Sequence, residues 1–105
     1  MNFAVKSVLG AKEILKRKLG SEYMVEMDVT VTGDVLKAGT PVDASGKAAN
    51  TSAAVGIVLN DVPKERPIAT VVKAYAVINT ANANANAGIT IADAVKEALP
   101  LIVFE

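Results

Sequence analysis

The chain contains no cysteine, no histidine and no tryptophan. Without cysteine there are no disulfides, thiolate metal sites or cysteine nucleophiles. Without histidine there is no imidazole metal ligand, and the commonest general base is missing with every triad built on it. Aromatic residues are only Phe3, Tyr23, Tyr75 and Phe104. No apolar run approaches the roughly 20 residues a membrane helix needs. The first twenty residues are not read as a signal peptide, because charges follow and interrupt their apolar part. Net charge is also lacking: 11 basic residues balance 11 acidic ones, which argues against a strongly basic nucleic-acid binder.

What remains is 105 residues, 51% of them apolar and 21% charged, a globular composition sized for one core. Alanine and valine supply much of the apolar share, so the core is built of small and β-branched side chains. Burying one Val or Leu fully contributes about 1.5–3 kcal/mol against about 1–2 kcal/mol of backbone ordering per residue. Self-association is a common remedy for a domain so built.

Charge is unevenly spread. Lys6, Lys12, Lys16, Arg17 and Lys18 face only Glu13 in the first twenty residues, a local charge of +4 that leaves −4 on the rest. Val5, Val8, Leu9, Leu15 and Leu19 recur at loosely helical spacing, interrupted by Gly10 and ended by Gly20. This predicts a short helix over 11–19 within a basic arm spanning 1–24, ahead of a β-rich body over 25–105. The arm either packs on its own domain or docks on a partner. A membrane-surface role lacks the apolar face with aromatic anchors that it needs.

From Val25 the period becomes two. Val25, Met27, Val29 and Val31 face one way and Glu26, Asp28, Thr30 and Thr32 the other, which predicts a strand broken at Gly33-Asp34. Lys37-Ala38-Gly39 reads as a turn and Thr40-Pro41-Val42 as a short edge strand, since Pro41 cannot donate to a ladder. Asp43 to Lys47 is a tight turn with Asp43 bonding the backbone. Ala54 to Leu59 is a buried strand in which Gly56 marks a bulge or a close backbone approach. Asn60 to Pro67 is a charged loop, and Ile68 to Asn79 the longest strand. The Ala/Asn alternation over 81–87 predicts a loop, with a solvent-lined edge strand as the alternative. Thr90 is expected to cap a short helix with Asp93 near its positive end, Pro100 to stop it, and Leu101 to Phe104 to form a closing strand.

No phosphate loop, zinc motif or nucleophile elbow is present, and no catalytic or metal-binding residues and no cofactor are assigned. A carboxylate-dependent enzyme would need Asp28, Asp34 and Asp61 in one cleft. A lipoyl or biotinyl carrier is rejected, because Lys37, Lys47 and Lys73 lack the Met-Lys-Met-like setting of the modified lysine.

Five segments follow one another in an informative order. They are Leu36 to Val42, the turn Asp43 to Lys47, Ala53 to Val62, Ala69 to Ile78, and Lys96 to Phe104. Over residues 33–105 this order resembles the capsid decoration and head-fibre-base proteins of tailed bacteriophages. Their pattern is an AGTP start with a DGK turn, an A-x-G-I-x-L-x-D-V strand, an ATV strand, and a helix leading into LP-x-I-x-F. The usual glycine of the ATV strand is Ala74 or Ala76 here, and no fibre-forming repeat follows.

The resemblance implies a mainly β fold, a small sandwich or barrel-like domain of β-tulip type, with one short C-terminal helix and an N-terminal arm or helix. It implies a homotrimer on the outer capsid surface of the virion, made in the host cytoplasm, that cements the major capsid protein. Membrane and nucleic acid are not expected partners. Phe3, Val5, Lys6, Val8, Lys12, Lys16, Arg17 and Lys18 are then the candidate capsid-binding residues, where charge aids encounter and register. The alternative is a β module that binds a small ligand or carbohydrate without catalysis.

Overall fold

The computed structural model describes residues 14–105, and within them the backbone alone of 16–23. Among the described residues seven strands and two helices follow in the order β1 (Leu15–Asp28), β2 (Val35–Leu36), β3 (Pro41–Val42), β4 (Gly56–Val58), β5 (Val62–Pro63), β6 (Ile68–Ile78), α1 (Thr80–Ala87), α2 (Asp93–Ala98) and β7 (Ile102–Phe104). The fold is mainly β and sandwich-like. One open sheet runs β1-β6-β4-β3, with β7 added parallel to β6, and β2 pairs with β5 in a second, two-stranded sheet. Among the described residues the large sheet does not close on itself, so the sandwich, not the barrel, describes it.

Strand β6 organises both cores, because successive side chains on a strand point to opposite faces. Ala69 and Val71 join Val29, Leu36, Val42, Val58 and Val62 on one face. Val72, Ala76 and Ile78 join Ile57, Ala83, Ile91, Val95, Leu99 and Ile102 on the other, where the helices lie. Val25, Met27, Val29 and Val31 all pack into the first of these cores while Glu26, Asp28, Thr30 and Thr32 stay exposed, as the period of two requires. Gly56 is a site of close approach: a Cβ there would collide with the Val71 side chain and lie 2.8 Å from the Val72 carbonyl oxygen. The Asp43 turn forms as expected, its carboxylate accepting from the N–H groups of Ser45 at 2.9 Å and Lys47 at 3.0 Å.

Four expectations are corrected. From Leu15 onward the segment expected as a helix over 11–19 is strand, with Leu15 opposite Ile78, Arg17 opposite Val77 and Lys18 opposite Ala76. The apolar spacing there was loose, and β6 supplies backbone partners for Leu15, Arg17 and Lys18, with an irregular register between them, where an isolated helix this short is marginal. Strand β1 therefore runs across the expected boundary at residue 24.

The Ala/Asn stretch is helix α1, not a loop or edge strand. Asn79 caps it by accepting from the Asn82 N–H at 3.1 Å, and Gly88 closes it in the left-handed region. The alanines let it sit close to its neighbours, and the asparagines find tertiary partners. Asn84 accepts from the Ile91 N–H at 3.0 Å, and Asn86 donates to the Ala38 carbonyl at 2.9 Å.

The N-cap of α2 is Ala92, not Thr90. Asn50 holds that entry by accepting from the Ala92 N–H and donating to the Thr90 carbonyl, both at 2.8 Å. Finally, the charged loop 60–67 contains β5, whose Val62 is fully buried opposite Leu36.

Candidate functional site

Strand β6 turns one bulky residue against its own regularity. Tyr75 has φ 62°, and it is the one non-glycine residue with positive φ among the described residues. For a bulky side chain this conformation costs about 1–3 kcal/mol and persists only where the surroundings enforce it. Ala74 and Ala76 on either side are buried, whereas Tyr75 is 48% exposed. Its N–H donates to the Leu101 carbonyl at 2.8 Å, tying the bend to the segment that leads into β7.

Leu101 is 52% and Val103 43% exposed, whereas Ile102 between them is buried in the core. Alternation along β7 thus places one apolar set inside and another outside. Three of the four large apolar side chains exposed among the described residues therefore sit on two backbones joined by a hydrogen bond; the fourth, Ile68, lies at the far end of β6. Among the described residues strand β7 pairs with β6 only, so its other side is a sheet edge there. An apolar edge of this kind favours association with another protein surface.

The polar side chains do something else. Asp61 Oδ1 accepts from the Ala38 N–H at 2.8 Å and from Asn86 Nδ2 at 3.0 Å. That carboxylate ties the β2–β3 turn, the β4–β5 loop and α1 together. Asp34 pairs with Lys64 across 3.7 Å of exposed surface, a contact of little energetic weight. Asp28 lies on the exposed side of β1. Among the described residues no three acidic side chains gather into a group able to hold a metal ion.

Of the sequence-derived capsid-binding candidates, Phe3, Val5, Lys6, Val8 and Lys12 lie outside the described residues. Lys16, Arg17 and Lys18 lie on β1, and the backbones of Arg17 and Lys18 pair with β6. The sequence reading did not assign Tyr75, Leu101 and Val103 to a surface. Alternation about the apolar Ile102 was the available signal for the last two; nothing local announced the turned-out backbone of Tyr75. Compared with known proteins, the chain matches no family model, no curated protein and no solved structure.

Proposed function

We propose that the chain is a structural virion protein that sits as a homotrimer on the outer surface of a tailed-phage capsid and cements neighbouring major capsid subunits. The observation that carries this reading is the apolar edge of Tyr75, Leu101 and Val103, with a strained backbone holding Tyr75 outward. The order of the sequence segments over 33–105, through its resemblance to phage decoration proteins, supports a capsid as the surface it meets. Full burial of a large apolar side chain contributes about 1.5–3 kcal/mol, so covering what remains exposed of each of the three adds about 1 kcal/mol apiece. Spread over many identical copies on a shell, contacts of that size act together. The basic stretch Lys16-Arg17-Lys18 adds attraction toward an acidic shell.

The test is co-sedimentation of the purified chain with phage shells stripped of their small outer proteins, together with light scattering of the free chain. Saturable binding at a fixed ratio to the major subunit, and a trimeric mass, are expected. The double variant Tyr75→Ser, Leu101→Ser removes about 2 kcal/mol and weakens binding at least tenfold. A chain that stays in the supernatant at every concentration refutes the reading.

A further inference from the structure

A second surface feature, unconnected with the apolar edge, lies at the other end of β6. It is a groove of about 360 Å³ lined by Glu26, Asn60, Pro63, Arg66, Ile68 and Thr70, among others. Its floor is the β1–β6 ladder, where Glu26 stands opposite Thr70 and Asp28 opposite Ile68. These positions share the face that carries Val72, Ala76 and Ile78 further along, but here no helix among the described residues covers it. The turn after β5 forms a wall, fixed by the Arg66 N–H donating to the Pro63 carbonyl at 3.1 Å and the Ile68 N–H donating to the Arg66 carbonyl at 2.8 Å. Asn60 is held by accepting from the Thr70 N–H at 3.1 Å.

The groove thus has a rigid backbone frame, an apolar strip of Pro63 and Ile68, and two opposite charges. Among the described residues, neither the Glu26 carboxylate nor the Arg66 guanidinium has an ion-pair partner. A simple anion entering the groove meets Arg66 but is opposed by Glu26; a simple cation meets the reverse. Only a ligand carrying both charges satisfies both walls.

We propose that this groove binds a small zwitterion, its ammonium end on Glu26 and its carboxylate end on Arg66, with the Thr70 hydroxyl as a further hydrogen-bonding group. Arg66 is suited to the carboxylate because its planar fork grips two oxygens at once. The site does not depend on the capsid reading.

The experiment is a titration of the isotope-labelled chain followed by backbone amide resonances. The probes are glycine and 4-aminobutyrate, whose charges differ in separation, against acetate and methylammonium at equal ionic strength. Saturable shifts at residues 26, 60, 66 and 68–70 with at least one zwitterion are expected, with at least tenfold weaker effects from acetate and methylammonium. Glu26→Gln and Arg66→Gln, both at exposed positions, should each weaken binding at least tenfold while leaving the remaining spectrum in place. Absence of saturable shifts with both zwitterions, or acetate acting as strongly as they do, overturns the proposal. So does binding that survives both substitutions.

Discussion

Replacing Gly39 with alanine probes the point where the β2–β3 turn meets α1. Gly39 has φ 98°, and a Cβ there would lie 2.7 Å from both the Cα and the carbonyl oxygen of Ala83 and 2.9 Å from its Cβ. Two of those atoms are helix backbone and cannot rotate away. Two costs therefore add. A left-handed backbone costs a non-glycine residue about 1–2 kcal/mol, and forcing a methyl into a packed contact costs about 1–3 kcal/mol more. Gly33 separates the two, since its φ of 86° carries the same backbone penalty while a Cβ there meets nothing within 4 Å. Gly33→Ala should lose about 1–2 kcal/mol and Gly39→Ala about 2–5 kcal/mol, the sum of the two terms. For a domain of this size each kilocalorie lowers the melting temperature by about 4–8 °C. Urea and thermal unfolding followed by circular dichroism measure both variants. A Gly39→Ala chain no less stable than Gly33→Ala would refute the close packing of turn and helix.

The strain at Tyr75 predicts a trade between stability and adhesion. Tyr75→Gly relieves the left-handed backbone and should leave the isolated domain as stable or up to about 1 kcal/mol more so, yet weaken shell binding in the co-sedimentation assay. A clear loss of stability would show that Tyr75 is held for packing instead. Asp61→Ala leaves the buried Ala38 N–H without its acceptor and should cost about 2 kcal/mol, with faster hydrogen exchange at the Ala38 amide. In a double-mutant cycle, Asp61→Ala and Asn86→Ala should couple by at least about 0.5 kcal/mol, since both hold the same turn. Strict additivity would remove the shared lock.

Where the sequence was legible, a local rule decided the outcome. The alternation from Val25 to Thr32 set which side chains enter the core, although the strand itself ends at Asp28, short of the break expected at Gly33. Asp43 and Gly46 specified their turn through hydrogen bonds and φ within five residues. Pro41 was confined to an edge strand by its missing N–H.

Elsewhere tertiary partners overruled the local reading. The Ala/Asn stretch has weak amphipathicity to read, and it is helical because Asn79 caps it, Ala83 packs on the turn at Gly39, and Asn84 and Asn86 reach Ile91 and Ala38. Residues 15–19 form strand because β6 lies alongside. Alternation about Ile102 hinted at Leu101 and Val103, but the joining of Tyr75 to Leu101 and of Glu26 to Arg66 in one groove was invisible, because each brings together residues from separate segments. Composition and period thus determined a mainly β chain with a small-residue core. The folded backbone decided which apolar side chains stay outside and which charges face each other, since those depend on distances between segments that no local pattern encodes.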